Sequence, residues 1–296
     1  MSTYSHLTEL ARQQLELPDN KRVETLFHGR FIAHERVAEI IHHCEHLMHK
    51  PRGTRPVGLL VFGPNGSGKT ALGDALQRRN ASSGATLNQP ATQPTLCFSM
   101  SGAREAREVY TRLLLALRCP HIRTLTGDQR REMGLTLAKA ADLRLLIVDE
   151  IQDVLLTTPR QQALALLAVK DIMNSLKVPV LALGTEDARI SLEADQHLKA
   201  RFKMHKLPIW QCDEYLGNFL SLYEATLALK KPSHLCGHLM MKLIVKETGG
   251  QLTEIVERLQ YAAALAVESG QERITQELFR EAEFAIPKTD LSECQG

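Results

Sequence analysis

The chain is poor in aromatic residues, 5% with a single tryptophan, and its six cysteines (Cys44, Cys97, Cys119, Cys212, Cys236, Cys294) never approach each other in sequence. Without a C-x-x-C pair there is no zinc knuckle and no disulfide framework, and the thiols read as reduced, in a cytosol. No run of 18 apolar residues occurs, and the first residues are polar, with Arg12 and several acids but no apolar signal core. The expectation is a cytoplasmic protein that is neither secreted nor membrane-spanning. Excess charge of one sign is also missing. A net +2 is no polycation, so any contact with nucleic acid has to come from a local basic face. His42, His46 and His49 share a helical face, but no further ligand of suitable spacing stands near, which favours a solvated face over a metal site. Cys236 with His238 reads the same way, and no Ser-His-Asp or Cys-His pattern is recoverable.

What is present is an ordinary globular composition, 44% hydrophobic and 24% charged, in a chain whose 296 residues suit one large and one small domain. Residues 1–30 form a polar extension, helical or loosely packed. Apolar positions Val37, Ile40, Ile41 and Leu47 predict a helix over residues 35–48, after which Pro51, Gly53 and Pro56 break the chain. Short apolar runs predict parallel strands at residues 58–62, 95–100, 143–148, 178–183 and 207–210. Helices are expected over residues 70–79, 104–117 and 129–141, and a polar, Pro- and Gly-containing surface loop over residues 82–94. The alternation implies a parallel α/β sheet with right-handed crossovers. After Trp210, itself read as packed at a domain junction, the pattern becomes helical, over residues 215–229, 238–248, 252–268 and 275–284, with Gly249-Gly250 and Ser269-Gly270 as breaks. The expected organisation is therefore an extension (1–30), a nucleotide-binding α/β domain (31–210), a helical lid domain (211–286) and a tail (287–296).

The loop Gly63-Pro64-Asn65-Gly66-Ser67-Gly68-Lys69-Thr70 fits G-x-x-x-x-G-K-[ST], with a predicted strand before it and a helix after it. Its glycines let backbone N–H groups turn inward around phosphates, and the helix N-terminus adds its positive end. Lys69 is placed to neutralise the β- and γ-phosphates of ATP, and the Thr70 hydroxyl to complete a Mg²⁺ shell. The apolar run Leu145-Leu146-Ile147-Val148 ends in Asp149-Glu150, which puts both carboxylates at the edge of the sheet where phosphates sit. Asp149 would hold the Mg²⁺ shell, and Glu150 would orient and deprotonate the attacking water. Thr185, at the end of the fourth strand, is placed to touch the γ-phosphate or that water, or is a plain turn residue.

In this order, loop, Asp-Glu strand, polar strand tip and helical lid, the residues look like an AAA+ ATPase: α/β, a P-loop parallel-sheet domain with a C-terminal α-helical lid. A closer resemblance is to the TniB family of transposon-encoded regulators, relatives of TnsC and MuB. Beyond the loop and the Asp-Glu strand it is carried by three segments. Phe31-Ile32-Ala33-His34-Glu35-Arg36 resembles the family's F-I-P-H-x-R, and Gly184-Thr185-Glu186-Asp187-Ala188 its G-T-x-x-A. Asp195-Gln196-His197-Leu198-Lys199-Ala200-Arg201-Phe202, followed by Leu207-Pro208-Ile209-Trp210, resembles D-x-Q-L-x-x-R-F…L-P-x-W. The resemblance implies a bacterial, ATP-hydrolysing homo-oligomer, a ring or helical filament, that coats or encircles target duplex DNA. It also implies that the oligomer recruits a transposase, works with a TniQ-like targeting protein and disassembles on hydrolysis. Arg201 matches the arginine that reaches a neighbouring subunit's γ-phosphate, with Arg189 as runner-up and a surface ion pair as the bland alternative. Phe31 and Ile32 would flank the adenine, or are core contacts. Departures are Ala33 in place of proline, and Thr253 where many AAA+ lids carry a sensor arginine; Arg258 is the available substitute.

Residues 101–141 hold eight basic side chains (Arg104, Arg107, Arg112, Arg118, Arg123, Arg130, Arg131, Lys139) against four acidic ones, more net charge than the whole chain carries. With Thr126, the residues Arg104, Arg107, Arg123, Arg130 and Arg131 suit phosphate contacts along a duplex that read no bases. The alternative is a solvated helix face with i,i+4 ion pairs. No aromatic interleaving supports a single-strand platform. Other readings of the same residues are a general AAA+ assembly ATPase (a helicase loader or secretion-associated ATPase), a small-molecule P-loop kinase, and an ATP switch without hydrolysis. The helical domain and Asp149-Glu150 disfavour the kinase, and Glu150 disfavours the switch.

Overall fold

The computed structural model describes residues 4–52, 55–84 and 91–283; the side chains of His197 and Leu198, residues 85–90 of the 82–94 loop and the expected tail at 287–296 lie outside the described residues. The chain divides into two compact units, one of residues 35–208 and one that combines the segment up to His34 with everything from Ile209 onward. In chain order the helical unit supplies α1 (Glu9–Gln14) and α2 (Asp19–Leu26). The sheet unit then runs α3 (Glu35–Met48), β1 (Gly58–Phe62), α4 (Lys69–Arg79), β2 (Thr95–Ser99), α5 (Glu108–Ala116), α6 (Gly127–Ala140), β3 (Leu145–Asp149), α7 (Gln152–Leu155) and α8 (Pro159–Leu176). It closes with β4 (Val180–Gly184), α9 (Glu186–Ala194), α10 (Gln196–Lys199) and β5 (Phe202–Lys206), and the helical unit resumes with α11 (Glu214–Glu224), α12 (His238–Thr248), α13 (Leu252–Glu268) and α14 (Gln276–Glu281).

The five strands are parallel, in the order β2-β3-β4-β1-β5. β1, β3 and β4 are buried along their whole length, which is why they read as unbroken apolar runs. Helices of the unit cover the sheet; Leu113 of α5 and Ile172 and Met173 of α8 are wholly buried in a core shared with Leu60, Leu146 and Ala182. The fold class is α/β, the P-loop AAA+ arrangement of a parallel sheet with a C-terminal helical domain.

The fifth strand is not at 207–210. It is Phe202–Lys206, paired only with β1, and its burial falls away after Phe202. An edge strand keeps one flank open to solvent, so Lys203 and Lys206 are tolerated and help to discourage further pairing. That polar content hides it from a search for apolar runs. The phenyl ring of Phe202 fits because Gly58 opposite has no side chain; a Cβ there would lie 2.5 Å from the ring.

In the helical unit α2 packs on α13 through Val23 and Leu26, and the ion pair of Arg22 with Glu272 is buried in the same unit. Trp210 stacks on Tyr215 with 4.7 Å between ring centroids, and His34 meets both rings edge-on while its Nδ1 is hydrogen-bonded to the Tyr215 hydroxyl. The unique tryptophan is thus a core residue of this unit, 6% exposed. Residues 1–30, expected as a separate extension, and residues 31–34, expected in the sheet domain, group with the helices instead; the apolar positions Val23 and Leu26 are buried there. No described helix is long and apolar enough to cross a membrane.

Candidate nucleotide site

Both halves of the site stand at the carboxyl ends of β1, β3 and β4, where the strand order reverses and open α/β sheets bind their ligands. The loop after β1 turns through Gly66 and Gly68, which have φ of +71° and +86°, left-handed values that glycine adopts without cost. Gly63 is fixed by a different constraint. Its N–H donates to the Gly184 carbonyl at 3.2 Å, and a Cβ on it would collide with the carbonyl oxygen of Leu207. Lys69 opens α4 and is 5% exposed; its ammonium donates to the Gly63 and Pro64 carbonyls at 3.1 and 2.7 Å, and weakly to Ser67 Oγ at 3.4 Å. Burial lowers its pKa, opposed by the nearby charges of Glu150 and Asp149. A buried ammonium whose hydrogen-bond partners among the described residues are neutral loop oxygens is well suited to exchange them for phosphate oxygens.

Asp149, at the end of β3 and 5% exposed, accepts a hydrogen bond from the Thr70 hydroxyl at 2.8 Å through Oδ2 and one from the Glu150 N–H at 2.9 Å through Oδ1. A carboxylate and a hydroxyl in contact form a hard oxygen pair of the kind Mg²⁺ takes together with substrate phosphates. Among the described residues no cluster of three or more His, Cys, Asp or Glu could hold a metal by itself. Glu150 has a φ of +51°, a left-handed value that a side-chain-bearing residue adopts at a cost of about 1–3 kcal/mol. Its Oε2 accepts from the amide Nε2 of Gln152. At the tip of β4, between β1 and β3, the Thr185 N–H donates to Gln152 Oε1 at 3.3 Å. The Thr185 hydroxyl is buried without a hydrogen-bond partner among the described residues and does not cap α9. Such an atom is suited to meet a ligand or water.

Gln152 is the residue that sequence reasoning missed. It sits two positions after Glu150, 6% exposed, in a four-residue helix with no motif to mark it. Its oxygen comes close because Gly184 has no Cβ; one would stand 3.0 Å from that oxygen and 2.7 Å from the Ala188 Cβ.

The remaining expected residues have the following local settings. Arg201 is at the opposite, amino-terminal edge of the sheet: its carbonyl accepts from the Gly58 N–H at 2.9 Å, and its guanidinium donates to Asn174 of α8 at 2.8 Å. Arg189 is ion-paired to Glu186 and Glu193 and lies over the Phe62 ring. Phe31 and Ile32 are half-buried residues of the helical unit, and Ile32 packs against its core. Arg258 is tied inside the same unit, donating to the Phe279 carbonyl at 2.9 Å and ion-paired to Glu247 and Glu283.

The basic segment is less free than its composition suggests. α5 begins at Glu108, not at residue 104, because the Glu108 carboxylate accepts from the N–H groups of Arg104 and Glu105 at 2.9 and 3.3 Å and closes a turn upstream. Arg104 therefore lies before the helix, and Arg107 is its N-cap. Arg107 pairs with Glu105, Arg112 with Glu108, and Arg131 grips Asp171 with two hydrogen bonds of 2.8 and 2.7 Å. Arg130 donates to Thr111 Oγ1, and Thr126 forms a capping box with Gln129 at the start of α6. Arg104 and Arg123 remain exposed and without an ion pair among the described residues.

Three comparisons bear on the whole chain. No curated protein matches it. Solved structures with the same fold include the ORC2 protein of Aeropyrum pernix in ADPNP–ADP complexes, with a TM-score of 0.65 at 18% identity over 93% of this chain and 74% of that one. Cdc6p from Pyrobaculum aerophilum is similar with a TM-score of 0.62 at 16% identity, over 90% of this chain and 73% of that one. The ORC1 protein of A. pernix in complex with DNA is similar with a TM-score of 0.57 at 16% identity, over 88% of this chain and 68% of that one. A family model described as Bacterial TniB protein matches residues 22–212, well over half of the chain, and the chain belongs to that TniB family.

Proposed function

We propose that this protein is an ATP-hydrolysing regulator of DNA transposition that assembles on target duplex DNA, recruits or activates the transposase, and disassembles on hydrolysis. The observation that carries the reading is the convergence of Lys69, Thr70, Asp149, Glu150 and Thr185 on one edge of the sheet. The similar ORC2 fold holds ADPNP and ADP, which supports a nucleotide at the corresponding loop here. Residues 63–68 wrap the phosphates with backbone N–H groups, and Lys69 exchanges its loop carbonyls for β- and γ-phosphate oxygens. Thr70 and Asp149 hold Mg²⁺, which when bound neutralises charge on the phosphates. Glu150 takes the proton of the attacking water, and Thr185 positions that water or the γ-phosphate through its unpartnered hydroxyl. Phe31 and Ile32 beside adenine, and Arg201 on the γ-phosphate of a second copy, complete the proposed site on the strength of the family resemblance.

Duplex DNA as partner is supported by the basic 101–141 segment and, more distantly, by the DNA held by ORC1 of similar fold. Arg104 and Arg123 are the residues of the proposed set best placed to meet phosphates; Arg107, Arg130 and Arg131 would have to exchange present partners, and Thr126 its capping role. A transposase and a TniQ-like protein are the further partners proposed.

Electron microscopy with a slowly hydrolysed ATP analogue, with and without duplex DNA, tests the assembly. Rings or filaments that need both ligands are expected, and Lys69→Ala should abolish them. Glu150→Gln should bind ATP and arrest the assembly on DNA. A protein that stays monomeric with both ligands saturating overturns the reading, and phosphate transfer to a small acceptor would convert it to a kinase.

A further inference from the structure

Glu150 lies one residue beyond the last paired position of β3, in a left-handed backbone conformation, so the ladder of the sheet does not itself fix its carboxylate. A general base has to present one oxygen to water within hydrogen-bond reach, and a displacement of about 1 Å can cost on the order of 10²-fold in rate. The buried side chain in contact with that carboxylate is Gln152. We propose that Gln152 is the positioning residue of the water-activating site: its amide N–H holds Glu150 Oε2 while its amide oxygen is anchored on the Thr185 N–H.

The orientation of the amide follows from its partners. Reversed, it would set an oxygen against a carboxylate and an NH₂ against an N–H, two repulsive pairs in place of two hydrogen bonds. Held by Oε2, Glu150 keeps Oε1 without a hydrogen-bond partner among the described residues, and so available to accept a proton from water. The same amide ties the base to the tip of β4, whose buried hydroxyl is the other group aimed at the reacting water. Base and strand tip then move together, and Gly184 is the position that lets the amide oxygen stand there. This inference rests on Glu150 being the base and adds the residue that aims it.

Two variants of nearly equal volume test it on the full-length protein, alongside Glu150→Gln. Gln152→Met keeps the packing and removes both hydrogen bonds; Gln152→Glu keeps the shape and puts a carboxylate against a carboxylate. Steady-state turnover, the equilibrium affinity for a fluorescent ATP analogue and the thermal midpoint are measured for each. The expected result is a kcat lowered by about 10²-fold for Gln152→Met and further for Gln152→Glu, with nucleotide affinity and midpoint close to wild type. Wild-type turnover in Gln152→Met overturns the proposal, because packing alone then suffices. Loss of nucleotide affinity or of the folding transition in both variants overturns it too, by assigning Gln152 to the architecture of α7. If Glu150→Gln itself turns over normally, the identity of the base is what fails; if that variant is dead while both Gln152 variants are active, only the positioning role fails.

Discussion

Replacing Arg22 by alanine should unfold the helical unit at markedly lower temperature. The guanidinium side chain is 1% exposed and donates to both oxygens of Glu272, at 3.1 and 2.7 Å, and to Asp19 at 3.0 Å. Removing one member of such a buried pair costs about 3–5 kcal/mol, chiefly because the surviving charge is stranded. Here the lower end applies, since Glu272 retains the Lys230 ammonium at 2.9 Å and the Lys230 N–H at 3.3 Å. At about 4 °C per kcal/mol for a unit of this size, the midpoint should fall by about 12 °C. Replacing both residues, Arg22→Met with Glu272→Met, should recover much of that loss, because a hydrophobic pair strands no charge. Acid provides an independent check. Burial pushes the Glu272 carboxyl up, but the hydrogen bonds from Arg22 and Lys230 outweigh it and hold the pKa below the ordinary carboxylate value. A carboxylate with a lowered folded-state pKa stabilises fully above its unfolded value and loses that contribution as pH falls through the folded value. The gap between wild type and Arg22→Ala should therefore be full at pH 7 and shrink below about pH 4. Calorimetry of the full chain at both pH values measures it; a single variant within 1 kcal/mol of wild type, or a gap that ignores acid, refutes the reasoning.

Asp171→Asn should release Arg131, which now spends both its hydrogen bonds on that carboxylate, and raise duplex affinity with a salt slope steeper by about 0.9. An unchanged slope removes Arg131 from the DNA face. Mixing Lys69→Ala with Arg201→Ala protein should restore ATP turnover that neither has alone, if Arg201 acts on a neighbour's pocket; no recovery argues for a role of Arg201 within its own subunit. His43 and His205 lie edge-on at 5.8 Å, both with pKa lowered, by burial first and then by the charge of Lys203, against which only Glu39 pulls His205 upward. Stability of the sheet unit should then be full above the ordinary imidazole value and fall as pH drops below it, and His205→Gln should flatten that dependence in urea titrations at pH 5 and 8.

The site was legible where the chain writes chemistry and structure in the same residues. Gly63 to Thr70 and Leu145 to Glu150 combine buried strands with functional groups at their ends, so apolar runs and polar punctuation coincide. β5 was misplaced because an edge strand carries no unbroken apolar signature. The helix α8 escaped because its own periodicity lies between two stronger features, although Ile172 and Met173 fill the core. Of the ion pairs that quiet the basic segment, Arg112–Glu108 is of the local i,i+4 kind that the sequence offered, whereas Arg131–Asp171 joins distant residues, and local charge counting cannot see it. Gln152 was invisible for a related reason: its role depends on Thr185 and Gly184, thirty-odd positions away, meeting Glu150 at one point.

The polarity of the sheet sets what one copy of this chain is able to do. The phosphate loop follows the carboxyl end of β1, whereas Arg201 is hydrogen-bonded to Gly58 at the amino end of the same strand. Four residue steps at about 3.3 Å each put about 13 Å of strand between those ends. The arginine side chain moreover runs sideways to Asn174, near the carboxyl end of α8, rather than along the strand toward the loop. Arg201 therefore faces away from the pocket of its own chain, and its buried Nε lacks a hydrogen-bond partner among the described residues. If Arg201 meets a γ-phosphate at all, that phosphate belongs to another copy. Hydrolysis would then be completed only where two copies meet, and the same guanidinium that neutralises the transition state would report that a neighbour is in place.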